Sequence, residues 1–137
     1  MTDKKTQQPL GVASRLNAEL GMSKKIVVSF SGGRTSAYLC SLIKELHPDA
    51  VFVFMDVGAE HPATYDFVRK CNDYFDLNLI CLRTVVSDKW KEGVSYRVVG
   101  INEIGDDLQP WRDMSLKYGL PYHGGAFCTD RMKTTPC

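Results

Sequence analysis

The sequence alternates short apolar runs with amphipathic stretches, and this alternation constrains the fold more than any other feature. Residues 26–30 (IVVSF), 50–57 (AVFVFMDV) and 78–83 (NLICLR) have the continuous apolar character of buried strands. Apolar residues at helical spacing follow the first run up to residue 47 and the second run over residues 62–75. Strands that alternate with helices imply right-handed crossovers and a parallel sheet. The sequence therefore predicts an α/β, doubly wound, mainly parallel fold, which places ligands beyond the carboxyl ends of its strands.

The remaining segments are less regular. Residues 1–22 are predicted to be an N-terminal extension, partly disordered and with a short helix, so that a single domain covers residues 23–137. Residues 84–109 are predicted to be an irregular excursion, in which VSYRVVGINEI has two interpretations, a strand of edge character or a lid-like loop. Residues 111–118 predict a helix, and residues 130–133 predict one more helical turn.

The composition narrows the class of protein. At 137 residues the chain is long enough for one hydrophobic core. Seventeen Lys and Arg residues against sixteen Asp and Glu residues leave the net charge near zero, so the charge balance favours neither a nucleic-acid partner nor an anionic membrane surface. No apolar run approaches the roughly 20 residues that span a bilayer. We therefore expect a cytoplasmic protein without a membrane partner.

Five cysteines without a CxxC pair favour thiols over disulfides or metal ligands. They are Cys40, Cys71, Cys81, Cys128 and Cys137. Three of them lie in apolar-patterned segments, where burial in a reducing compartment is the simplest interpretation. The spacing of the other two is poor for a zinc or iron–sulfur site, so no iron–sulfur cluster is expected.

A glycine pair joins the first predicted strand to the first predicted helix, in the loop Ser31–Ser36 (SGGRTS). A helix N-terminus has unpaired N–H groups and the positive end of the helix dipole, which together attract anions. Glycines let backbone amides approach phosphate oxygens, and the hydroxyl groups of the loop add donors. The pattern predicts a phosphate site, with a plain turn as the alternative, and Thr35 or Ser36 as the helix cap. Neither GxxxxGK[ST] nor GxGxxG occurs here.

The segment VSFSGGRTS resembles the SGGx(D/T)S signature of the PP-loop ATP pyrophosphatase superfamily. Within that superfamily the chain is similar to the phosphoadenosine phosphosulfate (PAPS) reductase-like branch, which has members in phages and prophages. Three further segments carry the resemblance: FMDVGAEHPATYDFV, GVSYRVV and YGLPYHGGAFCTDRMKTTP. The match extends over residues 24–136 and implies a Rossmann-like domain of the adenine nucleotide alpha-hydrolase type.

The resemblance implies a set of binding residues. Those expected to hold phosphates or sulfate are Ser31, Gly32, Gly33, Arg34, Thr35 and Ser36. Those expected to flank the adenine and ribose are Ser29, Phe30, Met55, Asp56, Val57 and Gly58. Asp56 and Glu60 are expected to bind Mg²⁺ or a ribose hydroxyl, or only to cap the helix that begins near Pro62. Arg131 and Lys133 are expected to neutralise phosphate charge from the opposite wall.

The catalytic residues stay unassigned, and the candidates are Arg34, Lys133, Cys128 and His123. Two departures from the family bear on activity. Thr35 stands where many members have Asp, which removes an acidic group from the loop. The sequence ends at TTPC without the E-C-G-x-H tail whose cysteine attacks the sulfate in reductases, so we expect either a fragment or a shortened form.

The resemblance implies an adenine-nucleotide-binding protein whose ligand is ATP or PAPS, with Mg²⁺. An active member would cleave ATP between its α and β phosphates and adenylylate an acceptor. The first alternative is thiol-dependent PAPS reduction with a thioredoxin-like reductant, and the second is a catalytically incomplete nucleotide-sequestering or regulatory phage protein. An α/β interaction module without a ligand is the third alternative. A homodimer is also expected, and the location is the bacterial host cytoplasm if a phage encodes the chain.

Overall fold

A computed structural model of the chain describes residues 25–122 and 130–134. Its elements, in chain order, are β1 (Val27–Phe30), α1 (Arg34–Leu46), β2 (Val51–Asp56), α2 (Pro62–Phe75), β3 (Ile80–Val86), β4 (Val94–Val99), α3 (Gln109–Tyr118) and a π-helical turn (Asp130–Thr134). The predicted N-terminal extension lies outside the described residues. Among the helices described, none is long and apolar enough to cross a membrane.

The four strands form one sheet in the order β1-β2-β3-β4. β1 pairs with β2 in parallel, with Val27 opposite Val51, and β2 pairs with β3 in parallel, with Asp56 opposite Arg83. β4 pairs antiparallel with β3. Two of the three pairings are therefore parallel, and the predicted α/β, mainly parallel fold is confirmed.

The helices pack on both faces of this sheet. α1 and α2 cover one face of the sheet and form the main hydrophobic cluster with it. Its buried members include Phe30, Ala37, Cys40, Phe52, Phe54, Tyr65, Val68, Cys71 and Cys81. A second cluster joins Met114 of α3 and Met132 of the π-helical turn to Val57, at the carboxyl end of the sheet. Val86 and Val94, which pair across β3 and β4, pack against it. Helices on both faces match the doubly wound prediction.

The prediction for residues 84–109 was wrong in two respects. β3 continues to Val86, and residues 94–99 form the edge strand β4 rather than part of an irregular excursion. Four consecutive residues of β4, Ser95 to Val98, are exposed, so the strand lacks the apolar alternation by which a half-buried strand is identified. The strand interpretation of VSYRVV was correct and the lid-like loop was not.

Candidate nucleotide-binding site

The predicted phosphate loop lies where β1 ends and α1 begins. Phe30 is the last residue of β1, and α1 begins at Arg34 with Gly33 as its N-cap residue. The predicted cap at Thr35 or Ser36 was therefore wrong, because both residues lie inside the first turn. No side chain among the described residues caps α1. The amide groups of its first turn are thus available to an anion.

Gly32 is required by the backbone and by packing. Its φ of 82° lies in the left-handed region, which side chains rarely adopt. A β-carbon at this position would lie 2.8 Å from Thr64 Cγ2 and 3.3 Å from Val68 Cγ2, both on α2. The loop therefore passes directly against the first turns of α2, and only glycine fits there.

Gly33 differs from its neighbour, because the space in front of it is open. A β-carbon there would have only Ser31 Oγ near it, at 3.8 Å. The carbonyl of Gly33 accepts hydrogen bonds from the Ala37 amide at 3.0 Å and from Ser36 Oγ at 2.9 Å. Ser31 Oγ donates to Ser36 Oγ at 2.9 Å, so the two hydroxyls are already oriented within the loop. An open backbone, oriented hydroxyls and a helix N-terminus form a cradle suited to phosphate.

Arg34 lines a groove that is separate from the open space in front of Gly33. It borders a groove of about 840 Å³ between α1 and α2, together with Tyr38, Phe67 and Tyr74. This groove is lined by the bodies of the two helices rather than by the carboxyl ends of the strands. The role predicted for Arg34 at the phosphates stays a prediction, because it requires the exposed side chain to turn towards the loop.

Asp56 ends β2 and is fully buried. Its Oδ1 accepts hydrogen bonds from the Gly58 amide at 2.9 Å and from the Tyr65 hydroxyl at 3.1 Å, while its Oδ2 accepts from Arg83 Nη1 at 2.9 Å. Tyr65 also accepts a hydrogen bond from the Glu60 amide at 3.3 Å, and burial, with the charge of Asp56, raises the pKa of its hydroxyl. Because both carboxylate oxygens bind protein donors, Asp56 does not fit a magnesium ligand.

The capping alternative for Asp56 and Glu60 was wrong. α2 begins at Pro62, as predicted, but its N-cap residue is His61, whose Nδ1 accepts a hydrogen bond from the Ala63 amide at 3.1 Å. Glu60 instead pairs with Lys133, with 3.0 Å between Glu60 Oε1 and Lys133 Nζ. Both side chains are partly exposed, at 30% and 43%, so an anionic or cationic ligand can reach them.

The π-helical turn that carries Lys133 is anchored to the sheet. Thr84 Oγ1 donates to the Met132 carbonyl at 3.0 Å, and Met132 is fully buried. Arg131 of the same turn lies over the ring of Tyr118, 4.3 Å from its centroid, and lines a small cleft beside Trp90. The two predicted cations therefore have different surroundings: Lys133 pairs with Glu60, between β2 and α2, whereas Arg131 lies on Tyr118 of α3.

Arg83 was missed by the sequence reasoning. It is buried in the middle of β3, opposite the end of β2, where Nη1 binds Asp56 and Nη2 binds Asp107, the residue two positions before α3. Burial alone would raise the pKa of Asp107, but hydrogen bonds from the Gln109 amide and from Arg83 outweigh it and lower that pKa. An arginine that ends an apolar run is the one signal the sequence offers, since such a charge needs a partner when buried.

The other predicted residues lie at the strand ends. Phe30, Met55 and Val57 have buried side chains, so they can offer a ligand only their backbone. Gly58 has a φ of 72°, and a β-carbon on it would lie 2.8 Å from Pro110 Cδ. Ser29 sits one residue before the end of β1 and is exposed.

The thiols give no sign of a nucleophile or metal centre in the described part of the chain. Cys40, Cys71 and Cys81 are free and buried, which confirms the prediction for these three. Burial raises the pKa of Cys71, and raises the pKa of Cys40 and of Cys81 to about 11. Within the described ranges no group of three or more His, Cys, Asp or Glu side chains could hold a metal ion. Cys128, Cys137 and His123 lie outside the described residues.

Comparison with known proteins identifies several relatives of this chain. The chain is 46% identical over 116 residues to an uncharacterised nin region protein, ORF290, of Escherichia phage lambda, a match that covers 80% of this chain and 40% of that protein. It is 40% identical over 101 residues to an uncharacterised protein of Methanocaldococcus jannaschii, covering 71% of this chain and 24% of the relative. It is 35% identical over 66 residues to the phosphoadenosine 5'-phosphosulfate reductase of Escherichia coli, a match that covers 48% of this chain and 27% of that protein.

The chain thus spans less than half the length of each of these curated relatives. A family model, the phosphoadenosine phosphosulfate reductase domain, matches residues 25–98. That range contains β1 to β3, the glycine loop and most of β4. The match to this family covers more than half of the 137 residues and includes the loop with its flanking strand and helix. The chain therefore belongs to the phosphoadenosine phosphosulfate reductase domain family.

Proposed function

We propose that this chain binds an adenine nucleotide, ATP or PAPS, with its phosphates at the loop Ser31–Ser36. The observation that carries the proposal is the open space in front of Gly33, at the uncapped N-terminus of α1. Backbone amides that face open space at a helix start are a general means of binding phosphate. Membership of a family named for a sulfonucleotide, and a similar Escherichia coli protein named for the same compound, support the choice of ligand class.

In this proposal the nucleoside part of the ligand lies against the exits of β1 and β2. The backbone of Ser29 and Phe30 and of residues 55–58 would flank the adenine and ribose. Lys133 would neutralise phosphate charge, leaving its present partner Glu60. Glu60 is then the carboxylate that fits Mg²⁺, because it is partly exposed, whereas Asp56 is buried among protein donors.

The reaction proposed for an active form is cleavage of ATP between its α and β phosphates. An acceptor nucleophile would form a bond to the α phosphorus, and the bond to the bridging oxygen would break so that pyrophosphate leaves with the electron pair. The loop amides, with Arg34 if it turns inward, would stabilise the negative charge that develops on the leaving group. Mg²⁺, when bound, would offset further phosphate charge.

PAPS reduction would use the same ligand site but needs a reactive thiol. Cys40, Cys71 and Cys81 cannot supply it, because they are buried and their pKa values are raised. Among the described residues, a thioredoxin-like reductant therefore has no reactive thiol on which to act. Location in the cytoplasm and a homodimeric state stay predictions.

Calorimetric titration of ATP and of PAPS, each with Mg²⁺, tests the proposal. We expect saturable binding of one of them by the wild-type protein and its loss in Gly33→Asp, because the added carboxylate occupies the phosphate position. Gly93→Asp is the matched control, since Gly93 also has open space around its Cα but lies in the connection between β3 and β4. Absence of binding in a folded wild-type protein, or equal loss in both variants, contradicts the proposal.

A further inference from the structure

We infer that Arg83 is a positioning residue for the nucleoside half of the proposed nucleotide site. It holds the exit of β2 against the start of α3 and so sets the wall on which adenine and ribose would lie. This inference rests on the proposed function.

The guanidinium of Arg83 joins two carboxylates from different parts of the chain. Nη1 donates to Asp56 at the end of β2, at 2.9 Å, and Nη2 donates to Asp107. Arg83 and Asp56 are buried, whereas the Asp107 side chain is 58% exposed. A planar guanidinium presents N–H groups in fixed directions, so it defines the relative position of the two carboxylates.

Two further contacts join the same segments. The Leu108 amide donates to the Gly58 carbonyl at 2.9 Å, and Pro110 packs so closely on Gly58 that a β-carbon there would collide with it. Asp56 in turn accepts a hydrogen bond from the Gly58 amide. The backbone of residues 56–58 is therefore held from both sides, by Arg83 and by the first residues of α3.

The phosphate loop is held by separate contacts. Gly32 packs on Thr64 and Val68 of α2, and the Ser31 and Ser36 hydroxyls bind within the loop. No hydrogen bond of Arg83 within the described residues goes to this loop; its partners are Asp56 and Asp107. A change at Arg83 should therefore displace the nucleoside wall and leave the phosphate cradle in place.

This separation predicts a selective effect on ligands. We would titrate ATP and, separately, inorganic pyrophosphate into wild-type protein, Arg83→Lys and Asp107→Ala. Lysine keeps the charge beside Asp56 but cannot hold both carboxylates in one plane. Asp107→Ala removes the second carboxylate that Arg83 binds and leaves the buried ion pair of Arg83 with Asp56 intact. We expect each variant to lose about tenfold in ATP affinity, with pyrophosphate affinity changed by less than about twofold.

Arg69→Lys is the matched control. Arg69 is also an arginine that fixes a loop, donating to the Ile101 and Ile104 carbonyls at 3.3 and 2.6 Å, but it holds residues 101–104 rather than the exit of β2. It should leave the affinity for both probes unchanged. If Arg83→Lys does not fold, the partly exposed Asp107 still provides the test.

Three results would overturn the inference: unchanged ATP affinity in Asp107→Ala, equal loss of ATP and pyrophosphate, or the same ATP loss in Arg69→Lys. A wild-type protein that binds neither ATP nor PAPS contradicts the proposed function itself, and the inference falls with it. A wild-type protein that binds ATP, while Arg83→Lys and Asp107→Ala bind it as tightly as Arg69→Lys does, contradicts the role of Arg83 alone.

Discussion

Gly32 and Thr64 are in direct contact, such that a β-carbon on Gly32 would lie 2.8 Å from Thr64 Cγ2. We expect Gly32→Ala to lower the free energy of unfolding by about 2 kcal/mol, through the left-handed φ and the collision together. Urea denaturation measures this. Gly33→Ala is the control and should lose less stability, since its β-carbon meets only Ser31 Oγ at 3.8 Å and only the N-cap preference for glycine is lost. Equal stabilities of the two variants would contradict the prediction.

Tyr65 connects the buried charge network to the segment that precedes α2. Its hydroxyl donates to Asp56 and accepts from the Glu60 amide, so Tyr65→Phe removes two hydrogen bonds and leaves Asp56 short of a donor. We expect a loss of about 1–2 kcal/mol in the free energy of unfolding. Tyr74→Phe should change nothing, because Tyr74 is exposed. A stability loss of the same size in both variants would refute the role given to the Tyr65 hydroxyl.

Asp107 should contribute a pH-dependent part of the stability. Its folded pKa is lowered below its ordinary value of 3.8, so the folded protein binds the proton less tightly than the unfolded chain does. The stabilisation is therefore fully present well above pH 3.8 and is lost as the pH falls through the folded pKa. Wild type and Asp107→Asn should differ in unfolding free energy at pH 6 and converge towards pH 3. A difference that stays constant over this range would contradict the prediction.

Lys133 should matter for ligand affinity and little for stability. Its ion pair with Glu60 is partly exposed, and such pairs contribute roughly 0–1 kcal/mol to folding. We expect Lys133→Gln to weaken ATP binding by about tenfold while the melting temperature hardly changes. Lys89→Gln is the control, because Lys89 also pairs with a glutamate, Glu92, but in the connection between β3 and β4. Equal affinities of the two variants for ATP would contradict the role of Lys133 in ligand binding.

The thiols of Cys40 and Cys81 should resist alkylation. Both are fully buried, and desolvation raises the pKa of each to about 11, so little thiolate forms at pH 8. Iodoacetamide treatment followed by peptide mass spectrometry should find these two cysteines unlabelled in native protein and labelled after unfolding in urea. Labelling at similar rates in both conditions would contradict their burial.

Most of the parallel sheet could be predicted from the sequence because its strands lie in short apolar runs. β1 lies within IVVSF and is buried at alternate residues, and β2 lies within AVFVFMDV and is buried along almost its whole length. The bounds of α2 were predicted correctly, because Pro62 marks the beginning and apolar residues recur to Phe75. β4 was predicted only as one of two alternatives, because an exposed edge strand need not alternate, as its four consecutive exposed residues show.

The site was only partly predictable. The position of the glycine loop between strand and helix follows from local pattern, whereas the ligand assigned to it stays a prediction. The pairing of Arg83 with Asp56 joins residues 27 positions apart, and no periodicity relates them. The sequence shows which charged residues are present. The partner of a buried charge depends on how the strands are paired in the sheet, and this register is known only from the structure.

The antiparallel pairing of β3 with β4 bears on the order in which the molecule assembles. A short connection, residues 87–93, joins these strands, and Lys117 Nζ binds its carbonyls at Ser87, Lys89 and Glu92. Closing so short a loop costs less chain entropy than the helical crossover that β1 and β2 require. We expect this hairpin to form early and the β1 edge to join late. The glycine loop would then be completed in the final folding steps, and a ligand held there would stabilise the last part of the sheet to form.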